Sequence, residues 1–220
     1  MQCNNPNSDS TSKPSQPNST SNSSQFYHTS DPHLTKVLQE LKAGNTENIN
    51  SQDEDSNTAM HLATKELRIG KDERESLQLL LKNNANGNIQ NNEGETALMV
   101  SLKYNQYSNV KAVFSITKEL ADTQTDFTLK DNEGNHPLHF AASIFNTRRR
   151  KDIVVYILQR MKATINKDSM TQVGLDALLK NKAGNTPYDM LQLHSNVTEG
   201  EKQAYQQLKD ELMMNLEHPA

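Results

Sequence analysis

The clearest periodic pattern near the start of the chain is a set of apolar residues at helical spacing. The pair Asp31-Pro32 precedes them and predicts a helix start, because Asp is a good N-cap and Pro suits the first turn. Gly44 stands where such a helix would end in a left-handed residue. The apolar residues recur at intervals of three and four, which places them on one face: Leu34, Val37, Leu38 and Leu41.

A second helical pattern lies at the other end of the chain, after a capping box formed by Thr198 and Glu201. We predict that residues 196–220 form an amphipathic helix that covers the open end of a stack of helices. The alternative is a free amphipathic helix that binds a partner. The apolar face carries Tyr205, Leu208, Leu212 and Leu216.

Between these helices, four short strings recur. Each begins with Asp or Asn, passes through two polar residues, a small turn residue and a spacer, and then reaches Thr or His and a short apolar run. Their Thr or His positions lie 38, 40 and 50 residues apart: Thr58, Thr96, His136 and Thr186. Self-similarity of this kind predicts a repeat architecture, in which each unit buries its apolar face against its neighbours.

These strings resemble the ankyrin repeat. Its signature is a Gly-containing turn, then Thr-Pro-Leu-His-x-Ala opening a first helix, then a second helix ending in Leu-Leu and Gly. The run from His136 to Ala141 (His-Pro-Leu-His-Phe-Ala) carries it most fully, and Leu80-Leu81 before Asn84 matches the end of a second helix. The resemblance implies an all-α, ankyrin-repeat helical solenoid with β-turn fingers and about four units.

The family unit is about 33 residues long, so the three intervals contain extra residues. We place the extra residues between helices, around residues 68–75, 148–151 and 163–173. Residues 31–195 are then the repeats, with units near 31–52, 53–90, 91–130, 131–180 and 181–195. Residues 1–30 are mostly Ser, Asn, Pro, Thr and Gln without periodicity, and we expect this tail to be disordered.

The resemblance also implies roles for the residues that open each first helix. The family Thr caps the helix, and the His three residues later ties neighbouring repeats together, as Thr58 and His61 are expected to do. In the later units Met99 fills the His position with apolar bulk, His136 replaces Thr, and Asp189 replaces His.

The function that the resemblance implies is protein–protein interaction, as an adaptor or scaffold that binds its partner by a concave face and the finger tips. Three of the four tips are acidic, which favours a partner with a basic or polar surface. The alternative is that these charges only keep the turns solvated. The predicted partner-binding residues are Glu54, Asp55, Asn92, Glu93, Asn132, Glu133 and Lys182.

Net charge, cysteine content and hydrophobicity bear on the class of partner and on the cellular compartment. The net charge of −4 argues against nucleic acid as the partner. The single cysteine, Cys3, cannot form an intramolecular disulfide, and no stretch is apolar enough for a membrane span or a signal peptide. We therefore expect a soluble, cytoplasmic monomer. The 25 asparagines suggest an A+T-rich genome rather than a structural need.

No motif in the chain is typical of a catalytic or cofactor-binding site, so we expect neither catalytic residues nor a cofactor. His136 and His139 would supply two zinc ligands, but no third ligand has suitable spacing, and we expect no metal. The basic run at residues 148–151 is interpreted as a solvated loop, with a nuclear-import or phosphate-binding patch as the alternative.

Two other functions stay open. One is a secreted bacterial effector acting on a host protein, because the glutamates of the C-terminal segment resemble acidic type IV secretion signals. The other is an inhibitory ankyrin protein that masks a transcription factor.

Overall fold

The computed structural model describes residues 31–65, 71–104, 110–122, 125–143, 151–164, 180–192 and isolated positions between 198 and 210. Within these ranges the regular secondary structure is α-helical. The β-pairing there is limited to one isolated antiparallel bridge between Gln52 and Thr58. The helices are α1 (Pro32–Lys42), α2 (Ala59–Lys65), α3 (Lys71–Lys82), α4 (Ala97–Tyr104), α5 (Val110–Asp122), α6 (Pro137–Ser143), α7 (Lys151–Thr164) and α8 (Pro187–Gln192).

The helices form two parallel rows of a solenoid. The inner row stacks α2 on α4, α4 on α6 and α6 on α8, while α3, α5 and α7 form the outer row behind them. Helix α1 packs on both α2 and α3 and so covers the first pair. Each pair therefore buries its apolar face against its neighbours in sequence order, as expected of a repeat protein. The all-α solenoid predicted from the repeats is confirmed.

Helix α1 begins as its sequence predicts. The Asp31 side chain accepts hydrogen bonds from the backbone N–H groups of His33 (2.9 Å) and Leu34 (3.1 Å), with Pro32 in the first turn. These bonds satisfy two of the donors that a helix start leaves free. The four apolar residues predicted to share one face, from Leu34 to Leu41, are all buried.

The core is a thin, continuous strip rather than a ball. Leucines and isoleucines from successive pairs fill it, and Ala63 and Ala141 are fully buried where helices approach closely. Because each pair contacts only its neighbours, a chain that is 33% hydrophobic can still bury a connected apolar cluster. Its fully buried members include Leu77, Leu98, Leu120, Leu138 and Ile157.

Two helices end in the left-handed residue that the sequence predicts. Helix α1 ends before Gly44 (φ 81°), and α3 ends before Asn84 (φ 61°). Asn adopts this conformation more readily than other residues with a side chain. In both turns the chain then reverses toward the next finger.

One predicted insertion is placed wrongly. Residues 71–75 were expected between two helices, but α3 already begins at Lys71, so these residues lengthen the outer helix instead. Lys151 likewise begins α7, and α7 continues to Thr164. The tail 1–30, residues 148–150, most of 163–173 and most of the C-terminal segment lie outside the described residues, and the unit boundaries stay predictions.

Candidate partner-binding face

The fingers are built by the same local device four times. In the first finger, the Asp53 carboxylate accepts from the backbone N–H of Asp55 (2.9 Å) and of Asn57 (2.7 Å). The Asx residues that open the other fingers, Asn91, Asp131 and Asn181, accept in the same way from the residue four places later. An Asx side chain that bonds its own following backbone stabilises the turn by a contact within the finger itself.

Each finger needs a left-handed residue at its fourth position. Gly94 (φ 75°), Gly134 (φ 79°) and Gly184 (φ 81°) supply it in the last three fingers. Ser56 adopts φ 61° in the first finger, which costs a residue with a Cβ. The Ser56 hydroxyl partly offsets that cost, because it donates to the Asn92 side chain of the next finger (2.6 Å).

The fingers are tied to one another by a backbone ladder. The N–H of Asn92 donates to the Asp55 carbonyl (3.0 Å), that of Asn132 to Glu93 (2.9 Å), and that of Lys182 to Glu133 (2.9 Å). The second residue of each finger thus binds the third residue of the finger before it. The ladder fixes the spacing and orientation of the four tips.

Side-chain amides reinforce the ladder. Asn91 donates to Asn57 (3.1 Å) and Asn181 donates to Asn135 (2.9 Å), each from one finger to the one before it. The Asn132 amide reaches the Asn92 carbonyl (2.8 Å). The asparagines attributed above to genome composition are therefore structural at these positions, and that interpretation was wrong for them.

Six of the seven predicted tip residues fall into two groups in the structure. Glu54, Asp55, Glu133 and Lys182 are exposed, and no hydrogen bond or ion pair of their charged groups is found within the described residues. Asn92 and Asn132 instead use their amides between fingers, where Asn92 also donates to the Glu54 carbonyl (3.3 Å). These two residues shape the tips, and the four free charges face solvent.

The seventh predicted residue, Glu93, is part of an ion-pair cluster. Lys103 of α4 donates to Glu93 (2.6 Å) and to Glu95 (2.8 Å), and Glu95 is almost fully buried. The hydrogen bond from Lys103 lowers the pKa of Glu93, whereas burial raises the pKa of Glu95 against the effect of the same lysine. Burial alone would lower the pKa of Lys103, but its bonds to both carboxylates raise it.

We expect Lys103→Met to lower the free energy of unfolding by roughly 1–3 kcal/mol, because the buried Glu95 carboxylate would lose its cation. The estimate is below the value for a fully buried pair, since the Lys103 side chain is 38% exposed. Urea unfolding of the single variant and of Lys103→Met with Glu95→Gln measures the effect. The double variant is expected to recover most of the loss, and Glu93→Gln, at a 61% exposed side chain, is the matched control with little effect. Equal urea midpoints for the single and double variants would rule out an unpaired Glu95 as the cause.

The recurring Thr and His positions at the start of the inner helices act as the resemblance implies in the first unit. The Nδ1 of His61 accepts from the Thr58 hydroxyl (2.8 Å) and the Thr58 N–H (3.1 Å). Its Nε2 then donates to the Glu95 carbonyl of the next finger (2.9 Å). In the third unit, His139 donates to the Asn185 carbonyl (3.0 Å) in the same manner. These bonds join the bases of the second and fourth fingers to the helix of the unit before each of them.

The substituted positions behave differently from one another. Met99 is fully buried, and its sulfur accepts from the Thr96 N–H at 3.5 Å. The Asp189 carboxylate accepts from both the N–H and the hydroxyl of Thr186, each at 2.7 Å, and so replaces the His bond to Thr at the helix start. His136 is fully buried, and neither of its ring nitrogens has a hydrogen-bond partner among the residues that the structure describes. The ring of His136 packs edge-on against His139, with centroids 4.3 Å apart.

This face also has a cleft, which the sequence analysis did not predict although three of the predicted tip residues line it. The cleft of about 140 Å³ opens between the first two fingers and the ends of α2 and α4. Tyr104 lines it and is the exposed large apolar side chain of the described residues, with 36% of its surface accessible. The ammonium groups of Lys65 and Lys103 lie 5.1 Å and 5.5 Å from the centre of the Tyr104 ring. No sequence pattern predicts this cleft, because its residues come from separate units.

The described part of the chain contains no group of three or more His, Cys, Asp or Glu side chains that could hold a metal ion. No helix within the described ranges is long and apolar enough to cross a membrane.

Comparison with known proteins agrees with the repeats seen in the structure. The family model for ankyrin repeats matches residues 27–121 and 71–171, so the chain belongs to the ankyrin repeat family. Members of this family are generally protein–protein interaction modules and typically not enzymes. The chain is also similar to the putative ankyrin repeat protein FPV031 of Fowlpox virus (strain NVSL), with 38% identity over 94 residues. That match covers 41% of this chain and 24% of the viral protein, so the chain spans about a quarter of its length.

Proposed function

We propose that this protein binds another protein through the face formed by its four finger tips and its inner helices. The observation that supports the proposal is the ladder from Asp55 to Lys182, which holds the tips in a fixed row. A rigid row of exposed charges loses little conformational entropy when a partner docks, and preorganisation of this kind favours binding.

The charges along the row favour a partner segment with basic side chains. Glu54, Asp55 and Glu133 are exposed and their carboxylates are free of ion pairs within the described residues. Glu93 contributes less, because Lys103 already neutralises it. Lys182 ends the acidic part of the row at the fourth finger. A basic segment would therefore lie across the first three fingers, attracted by complementary charge.

The test is affinity capture with the full-length chain as bait, followed by identification of the retained proteins. The test variant carries Glu54→Lys and Glu133→Lys, which reverse two charges on the tips. The matched control carries Glu47→Lys and Asp152→Lys, which make the same change in net charge at exposed positions outside the fingers. Both variants are first checked for wild-type helical content and unfolding temperature.

A protein retained by the wild type and the control, but lost from the tip variant, is the expected result. Its binding should also weaken as salt concentration rises, because exposed charges are screened. A partner retained equally by all three baits would move the site away from the finger tips. If no bait retains a partner in a concentration-dependent manner, the binding role itself is contradicted.

A further inference from the structure

The cleft beside Tyr104 has two electrically different sides. We name it the helix-end cleft and define it by Asp55 and Glu93 on the finger side and by Lys65 and Tyr104 at the ends of α2 and α4. The finger side carries carboxylates, and the helix side carries ammonium groups over an aromatic ring. A partner that enters the cleft therefore meets opposite charges at its two sides.

The two lysines of the helix side are not equivalent. Lys103 is held by Glu93 and Glu95 at hydrogen-bond distance, so its charge is already compensated. The Lys65 ammonium lies over the Tyr104 ring and attracts Glu93 only at longer range, and no carboxylate of the described residues forms an ion pair with it. Lys65 is exposed at the end of α2. It is therefore the cation of the cleft that a ligand can still neutralise.

The aromatic ring favours the same kind of ligand. A cation from the partner would normally be attracted to the face of an exposed tyrosine. Here two ammonium groups already lie within 5.5 Å of the ring centre, so an incoming cation would be repelled. Tyrosines are common at the centres of protein interfaces because they bury a large area at little cost in entropy. Tyr104 thus offers contact area, and Lys65 beside it offers a charge that selects anions.

We propose that the helix-end cleft binds an aspartate or glutamate side chain of the partner, with its carboxylate paired to Lys65 and its neighbouring atoms packed on Tyr104. This inference rests on the proposed function and specifies it. The partner segment would carry basic residues against the free finger tips and one acidic residue in the cleft. Asp55, Glu93 and Glu95 also line the cleft and repel any anion, and this repulsion grows with the charge of the ligand. A singly charged carboxylate therefore fits better than a phosphate group.

The test uses a displayed library of random 12-residue peptides, selected on the immobilised full-length chain. Parallel selections use Lys65→Glu, which reverses the charge in the cleft, and Lys65→Gln, which only removes it. Lys36→Glu is the matched control, because Lys36 is exposed on α1 outside the cleft. The strongest peptide is then synthesised with its acidic residue and with the corresponding amide, and both affinities are measured for all four proteins.

Peptides selected on the wild type and on Lys36→Glu are expected to share one acidic position. Changing that position to the amide should weaken binding about five- to tenfold, and Lys65→Gln should show no difference between the two peptides. Lys65→Glu should select peptides with a basic or neutral residue there instead.

Two outcomes would overturn the proposal, and they differ in what else they affect. Peptides that bind the wild type without an acidic position, or that bind Lys65→Gln with the same preference, refute the carboxylate site but leave the binding face intact. A selection that enriches no peptide on any of the four proteins counts against both the site and the proposed function.

Discussion

Replacing Gly94 with alanine is expected to lower the free energy of unfolding by roughly 2–5 kcal/mol. The left-handed conformation alone costs a residue with a Cβ about 1–2 kcal/mol. At Gly94 the new Cβ would also lie 2.8 Å from both the backbone nitrogen and the side-chain oxygen of Asn132 in the next finger. Overpacking of this kind adds about 1–3 kcal/mol, because the ladder must open to admit the methyl group.

Gly184 provides the matched control for this prediction. It has nearly the same conformation (φ 81°), but a Cβ built there meets nothing within 4 Å. Gly184→Ala should therefore cost only about 1–2 kcal/mol. Gly134, where a Cβ would lie 3.1 Å from the Lys182 nitrogen, should fall between the two. Urea unfolding followed by circular dichroism measures all three variants. Equal losses at Gly94 and Gly184 would show that the neighbouring finger imposes no constraint.

Acid is expected to destabilise the protein through its buried histidines. Burial lowers the pKa of His136 well below its usual value, and the nearby His139 and Lys130 act in the same direction. Burial also lowers the pKa of His61, against the effect of its bond to the Glu95 carbonyl. Both rings stay neutral in the folded protein at a pH where they bind protons in the unfolded chain.

The sign of the effect follows from this difference. The unfolded chain takes up protons below about pH 6.5, while the folded protein does not, so stability is greatest above that pH and falls as the pH is lowered. Each such histidine contributes a loss of about 1.4 kcal/mol per pH unit, until the pH reaches its folded pKa.

His136→Thr separates this residue from the other titrating groups. The substitution restores the family residue and removes a ring whose two nitrogens have no hydrogen-bond partner. Between pH 7.5 and 5.5 the variant should lose less stability than the wild type, and the remaining loss comes in part from His61, which still titrates. Chemical unfolding at several pH values gives both slopes. A variant that keeps the full wild-type slope would show that His136 is not responsible for the acid sensitivity.

We expect acid to weaken some junctions between the units of the solenoid more than others. His139, adjacent to His136, donates to the Asn185 carbonyl, and this bond joins the third helix pair to the fourth finger. His61 makes the corresponding bond between the first two units. Because each unit of a solenoid depends on its neighbours, we expect acid to loosen these two junctions before the junction at Met99. Hydrogen exchange of the N–H groups around Asn185 and Glu95, compared with those at Asn132, would measure the order.

Local features of the fold could be predicted from the sequence because they depend on residues close together in the chain. Asp31 caps α1, and Asn84 and Gly94 adopt left-handed conformations, as their residue types and neighbours indicate. The Thr58–His61 pair follows from the three-residue spacing on a helix. The start of α3 was missed, because residues 71–75 carry no apolar pattern of their own and are helical by continuation from the buried Leu77.

The sequence by itself determined the number and kind of the repeated turns, the starts of α1 and of the inner helices, and the thin apolar strip, because each is specified within one unit. Only the tertiary structure decided which charges are free. Asp55 and Glu93 are both the third residue of their fingers, yet Lys103 from the following helix pairs with Glu93, while the Asp55 carboxylate has no ion pair within the described residues. Stacking of units 38 to 50 residues apart likewise turned surface asparagines into bridges and brought Lys65 beside Tyr104. Such contacts depend on how one unit is set against the next, and no pattern within a single unit records that arrangement.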